Sequence, residues 1–225
     1  MHTPNMLNSS FSDLQQILVS LVGRWSQGQL DCSTAIPGLH LFRREEPTPP
    51  AFCLIKPSIV LVVQGRKQMF VGDEIFPYDM ELPAKSETLT ASPEEPCLGL
   101  NLELDSRLIT EMVAHGEVPA AESSAGGGCF GTGTVTTLIL DPFKRLLELL
   151  DEPEAVTALA PGIVREIHYR LLTSDQGSRL RQIASVEGQG YKIAKAINWL
   201  CLHYAEPLRI DALAASVQMS SPSFH

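Results

Sequence analysis

Histidines and cysteines are the side chains of this chain that could coordinate a metal or act as nucleophiles. The six histidines stand at positions 2, 40, 115, 168, 203 and 225, and the five cysteines at 32, 53, 97, 129 and 201. A metal site on a small β-barrel needs a His-x-His-type cluster on adjacent strands, and these histidines are scattered. The sequence also has no Gly-x-Ser-x-Gly elbow, P-loop or dinucleotide fingerprint. We therefore expect no catalytic residue, no metal and no cofactor.

Two cysteines nevertheless raise the possibility of covalent sensing. Cys53 and Cys97 both fall in predicted strands, and Cys97 directly follows the turn Pro93–Pro96. One hypothesis is that either thiol reacts with an aldehyde or an oxidant. The alternative is that each is a buried cysteine acting as a small hydrophobe. The odd cysteine count without a CxxC pair favours reduced thiols in a cytoplasm over disulfides.

Non-covalent binding of a small molecule is the other chemistry that the residues allow. Polar side chains on or beside strands can orient a ligand in an otherwise apolar pocket. The candidates are His40, Arg43, Lys56, Gln64 and Tyr78. For each one the alternative is a solvated surface side chain.

The elements that would position these residues are short strands between residues 29 and 104. Seven β-rich runs are separated by Pro, Gly and Asp turns: Leu39–Arg43, Phe52–Ile55, Ser58–Val63, Gln68–Val71, Glu74–Pro77, Glu87–Ala91 and Cys97–Leu104. Their even spacing predicts a small cupin-like β-barrel or jelly roll within an α+β chain. Leucines at 98, 100, 102 and 104 should share one face. The wholly apolar run Ile59–Val63 predicts a strand buried on both faces.

Helices are predicted on either side of this strand-rich region. The spacing of Leu14, Leu18, Leu21, Val22 and Trp25 predicts an amphipathic helix ending near Gly28. Asp105 should cap a helix that carries Ile109 and Met112. The Gly-rich stretch 116–133 reads as a linker, and the chain after Asp141-Pro142 reads as helical, including Gly177–Ala184 and Tyr191–Tyr204.

One of these helices is a candidate for pairing with a second copy of the chain. Its apolar stripe is broad and flanked by charges, which suits either an intersubunit helix pair or packing within one chain. The candidate interface residues are Ile163, Ile167, Arg170 and Leu171.

The charge distribution divides the chain. The formal net charge is −9, with ten Lys/Arg and eighteen Asp/Glu in residues 1–150 but seven and five in residues 165–225. The C-terminal part is therefore the better place to look for contact with nucleic acid. No apolar run approaches the ~20 residues that cross a bilayer, and no secretion signal is recognisable. We expect a cytoplasmic protein with no membrane partner.

The final residues carry a helix-turn-helix pattern. Ile210–Val217 has helical apolar spacing, Gln218-Met219-Ser220 interrupts it, and Ser221-Pro222 offers a serine N-cap and a proline at the first helical position. Spacing alone allows either a DNA-reading motif or an ordinary pair of antiparallel helices.

The amino-acid sequence of these segments resembles that of the AraC family of bacterial transcription regulators. IDALAASVQMSSPSFH resembles the start of the first helix-turn-helix of that family, and the preceding AIxWLxxHYxxPL is present at 196–208. KPSIVLVVQGRKQMFVGDE and REIHYRLLTSDQGSRLRQIAS resemble its effector-binding domain. Two departures are visible: Gln218 stands where the family usually has glycine, and the sequence ends at His225, before the rest of the recognition helix.

This resemblance implies a regulator that binds a small effector in its barrel and forms a homodimer. It implies domains at 1–28, 29–185 and 186–225, with the incomplete DNA-binding domain last. Operator DNA would be contacted by Ser221, Ser223 and His225, and only with a complete C-terminal domain, so these 225 residues should not bind DNA specifically. Two alternatives stay open: a metal-free cupin enzyme acting on a small sugar or acid, and a truncated regulator that forms inactive heterodimers.

Overall fold

The computed structural model describes residues 4–70, 82–119 and 133–185, with side chains described for 10–49, 56–67, 88–119 and 133–181. The helices are α1 (Pro4–Trp25), α2 (Ser106–Ala114), α3 (Thr137–Glu148), α4 (Val156–Leu172) and α5 (Gly177–Ser185). The strands are β1 (Asp31–Ser33), β2 (Leu39–Arg44), β3 (Thr48–Ile55), β4 (Ser58–Gln64), β5 (Arg66–Phe70), β6 (Leu82–Thr90) and β7 (Cys97–Glu103). The α+β class is confirmed.

The described strands form two antiparallel sheets. One has the order β1-β2-β7-β4 and the other β3-β6-β5. Within the described ranges these sheets do not close into one barrel. The predicted strand Glu74–Pro77 and helix Tyr191–Tyr204 lie outside the described residues.

The four-stranded sheet has a face covered by helices and a face turned away from them. Leu98, Leu100 and Leu102 alternate along β7 and are buried against α1 and α3, as the alternation predicts. Leu39 and Leu41 pair with them from β2. Intervening residues of the same strands point the other way, and we name this opposite side the distal face.

The expectation that β4 is buried on both faces is wrong. Ile59 and Leu61 pack against the main core, but Val60 lies on the distal face and is 38% exposed. β4 is the last strand of its sheet in the described part of the chain, so less of the structure covers it.

Two helices begin earlier than the sequence predicts. α1 starts at Pro4, a residue suited to a first helical position and ten residues before Leu14, where the predicted apolar spacing begins. α3 starts at Thr137 and contains Pro142, with the carbonyl of Thr136 accepting from the amides of Ile139 and Leu140. By contrast, the Asp105 cap is confirmed: its carboxylate accepts from the amides of Arg107 and Leu108 at 3.0 and 3.1 Å.

A second, smaller core holds the C-terminal helices of this region. Ile109 and Met112 of α2 pack with Leu172 of α4 and Leu180 of α5. Arg165 of α4 adds ion pairs to Glu117 and Glu111, so α2 and α4 are joined by apolar and charged contacts. None of the helices in the described ranges is long and apolar enough to span a membrane.

Candidate functional site

Cross-strand register assembles two rows of side chains on the distal face. One row runs Ser33, His40, Asn101 and Val60 across the four strands. The next row runs Asp31, Phe42, Gly99 and Val62. The rows place polar and apolar groups side by side, as a small-molecule site requires.

Glu103 joins two of the predicted ligand residues at one end of the distal face. The Lys56 ammonium donates to Glu103 Oε1 at 2.9 Å, and His40 Nε2 lies 3.5 Å from the same oxygen. The other imidazole nitrogen of His40, Nδ1, is 3.2 Å from the Ser33 hydroxyl oxygen. Glu103 is not among the predicted ligand residues, although it is a charged residue at the end of a leucine-rich alternating strand.

The other end of the distal face is apolar and closed. The Phe42 ring is 6% exposed and lies over Gly99, where a β-carbon would come within 2.2 Å of Phe42 Cζ. The Lys67 ammonium sits 4.5 Å from the centre of that ring. Because Lys67 belongs to β5, this contact brings the second sheet over the Phe42 end of the distal face.

Cys97 is packed at this closed end. It is fully buried, and the β4–β5 turn presses on it: a β-carbon on Gly65 would lie 2.7 Å from Cys97 Cα. Burial raises the pKa of the Cys97 thiol, while the nearby Lys67 and Arg44 charges and an amide hydrogen bond from Arg66 act in the opposite direction. A raised pKa favours the neutral thiol, which is the less nucleophilic form. The contacts therefore support the small-hydrophobe alternative for Cys97.

The remaining predicted ligand residues are not gathered on the distal face. Arg43 alternates to the helix-covered side and its Nε donates to Glu45 at 2.7 Å. Gln64 donates to the carbonyl of Pro96 at 2.8 Å and lines a separate shallow cleft with Glu95. The side chain of Cys53 and the whole of Tyr78 lie outside the described residues.

A groove of about 350 Å³ runs along β4, next to α3 and α5. Its lining is mainly apolar and includes Ile59, Leu61, Phe143 and Leu180. At one rim of the groove the Asp175 carboxylate accepts hydrogen bonds from the amide and hydroxyl of Thr134 at 3.0 and 3.1 Å. These bonds lower the pKa of Asp175, so its carboxylate is ionised at neutral pH.

Comparison with protein families identifies the class of this domain. The model of the AraC-type transcriptional regulator N-terminus matches residues 35–179, more than half of the chain. The chain belongs to this family. The match spans β2 to the start of α5, and it confirms the resemblance drawn from the sequence. Neither the curated proteins nor the solved structures give a significant match.

In this AraC-type domain the candidate dimer residues face mostly inward. Ile167 is 1% exposed, while Ile163 and Leu171 pack against the main core. Arg170 donates to Glu166 of its own helix at 3.3 Å. The exposed apolar residues of α4 are instead Leu159 and Tyr169, at 53% and 39%. Packing within one chain therefore accounts for much of the stripe seen in the sequence.

A buried histidine links the segment after β7 to α4. His168 Nε2 accepts from the Asp105 amide at 3.0 Å, and its Nδ1 lies 2.8 Å from the carbonyl of Val164. Asp105 follows β7 by two residues and caps α2, so one imidazole ties the end of the strand, the start of α2 and the middle of α4. The geometry requires a neutral ring with its proton on Nδ1.

We expect this link to weaken in acid. Burial lowers the pKa of His168, against opposing effects of the Val164 carbonyl and the Asp105 carboxylate. The unfolded chain binds a proton near pH 6.5 that the folded chain resists, so stability should be lost as pH falls below about 6.5. Urea unfolding at pH 7.5 and pH 5 measures this loss. The loss of unfolding free energy between these two pH values should be smaller in His168→Gln. An unchanged loss would contradict the assignment of the pH dependence to His168.

The predicted DNA-contacting residues Ser221, Ser223 and His225 lie outside the described residues, together with the rest of 186–225. Where side chains are described, no group of three His, Cys, Asp or Glu residues is arranged to hold a metal ion.

Proposed function

We propose that this chain is the effector-binding and dimerisation part of an AraC-type transcription regulator, with a cupin-like jelly-roll sensor between residues 29 and 185. The two antiparallel sheets and the Lys67–Phe42 contact between them support that architecture. The effector is a small molecule bound on the distal face. The observation that carries this proposal is the Lys56–Glu103–His40 cluster beside the Asn101 row, because it gathers polar groups at the edge of an apolar surface.

The same contacts offer a route from the effector to the rest of the regulator. Glu103 ends β7, Asp105 follows it, and the Asp105 amide bonds His168 of α4. A ligand that moves Glu103 can bias α4 through this short connection. Couplings between sites in proteins are typically about 1–3 kcal/mol, which is enough to change the pairing of two copies or of their DNA-binding parts.

We propose the exposed face of α4 as the surface for a second copy. Leu159 and Tyr169 are exposed on it, and no described atom of a neighbouring element lies within 4 Å of the position of a β-carbon on Gly162. Operator DNA is the proposed partner of residues 186–225, as the family resemblance implies, and the cytoplasm is the proposed location. The role proposed is binding rather than catalysis.

Native mass spectrometry of the purified chain tests the effector proposal. We expect a dimer that carries an extra mass of a few hundred daltons, which disappears on denaturation. Glu103→Gln should lower the fraction of protein that carries the extra mass at least several-fold, because it removes the carboxylate that accepts from Lys56 and lies 3.5 Å from His40 Nε2. Glu152→Gln is the matched control, because Glu152 is an exposed residue, and this variant should still carry the extra mass. Equal retention in both variants would place the ligand elsewhere.

A further inference from the structure

We propose that Asn101 selects the effector, and that the effector is a neutral molecule with an apolar body and at least one hydroxyl group. This inference rests on the proposed binding site on the distal face. It starts from one atom: Asn101 Oδ1 is buried, and none of the described residues donates a hydrogen bond to it.

The neighbours of Asn101 explain why its oxygen has no donor within the described residues. Across β2 the facing side chain is His40, whose two nitrogens already lie near Ser33 and Glu103. Across β4 it is Val60, which has no donor. The backbone amides of β7 are used in the sheet.

An unpaired buried amide oxygen is costly, and most such groups in folded proteins have a partner. A ligand hydroxyl placed over the Asn101 row would supply the missing donor. A ligand with only acceptors in that position would leave the oxygen unpaired, which is why the site should reject it.

The residues around Asn101 indicate the chemistry of the rest of the effector. Val60 and Val62 of β4 offer apolar contact on the same face, and the buried Phe42 ring closes its far end. At the Glu103 end of the face, Lys56 and Glu103 neutralise each other at 2.9 Å, so that end has no spare charge for an ionised ligand. A neutral alcohol fits both features.

Cyclohexanol and cyclohexanone form a matched pair of probes, since they share a ring and differ in whether the oxygen can donate. Titration of the full chain, followed by ligand-observed NMR, should give about tenfold tighter binding of the alcohol. Asn101→Leu should bring the ratio close to one, and Asn101→Asp, which keeps an acceptor, should preserve the preference. Equal affinities, a preference for the ketone, or no binding of the alcohol would each overturn the proposal.

A second measurement does not depend on the probes. If Asn101 is held unpaired for a ligand, Asn101→Leu should raise the melting temperature of the ligand-free chain by about 2–4 °C. An asparagine with a purely structural role would instead lose stability on this change, which would overturn the inference. Native mass spectrometry tests the proposed function separately. If a ligand is retained but the alcohol does not bind more tightly than the ketone, only the proposal for Asn101 is rejected.

Discussion

Replacement of Gly65 by alanine is expected to lower the free energy of unfolding by about 2–4 kcal/mol. Gly65 has φ +79°, a left-handed conformation that costs other residues roughly 1 kcal/mol. Its β-carbon would also meet Cys97 Cα at 2.7 Å and the carbonyl oxygen of Thr90 at 2.9 Å. Both are backbone atoms, so relief requires the β4–β5 turn to move away from β7. Urea unfolding of both proteins measures the difference.

Gly28→Ala is the matched control for this prediction. Gly28 has φ +74°, nearly the same conformation, but a β-carbon there meets no atom of the described residues within 4 Å. It should therefore lose only the conformational part, about 1 kcal/mol. Similar losses in the two variants would show that the contact between the turn and Cys97 is not close enough to matter. The comparison isolates the packing that closes one end of the proposed site.

The strands and caps could be predicted from the sequence because their signals are local. The alternating leucines Leu98, Leu100 and Leu102 and the Asp105 cap each depend on residues a few positions apart, and both are confirmed. Leu104 follows the strand and packs against the second core instead. Strand β1 was missed because Asp31–Ser33 is three residues long and has no apolar alternation. α3 was placed too late because proline usually marks a helix start, and here Pro142 lies inside the helix.

The candidate site was only half predictable, because it depends on register between distant strands. His40 and Lys56 are polar residues in or next to β-rich runs, so composition could nominate them. Their meeting at Glu103 requires β2 and β4 to pair on opposite sides of β7 in one register, which no local pattern specifies. Arg43 is a different case, because it stands three residues from His40 and strand alternation alone puts it on the opposite face.

Ile167→Ala is expected to cost about 2–5 kcal/mol of stability while leaving any association between copies unchanged. Its side chain is 1% exposed and packs in the core formed with the four-stranded sheet, so the truncation leaves a cavity. The change is measured by urea unfolding, with dissociation followed by sedimentation at several concentrations. A loss of dimer in proportion to the loss of stability would instead return Ile167 to the interface between copies.

Leu159→Ala gives the reciprocal result on the same helix. Because this side chain is 53% exposed and alanine favours helix, the stability of one copy should change by no more than about 0.5 kcal/mol. If the outer face of α4 contacts a second copy, losing an apolar side chain there should weaken association roughly tenfold.

The spacing of apolar residues in the sequence could not distinguish Leu159 from Ile167, since both belong to an apolar pattern too broad for one interface. What separates them is the side of α4 on which each lies: Ile167 is packed into the main core, whereas Leu159 is exposed. Unchanged association in Leu159→Ala would place the second copy on another surface of the domain.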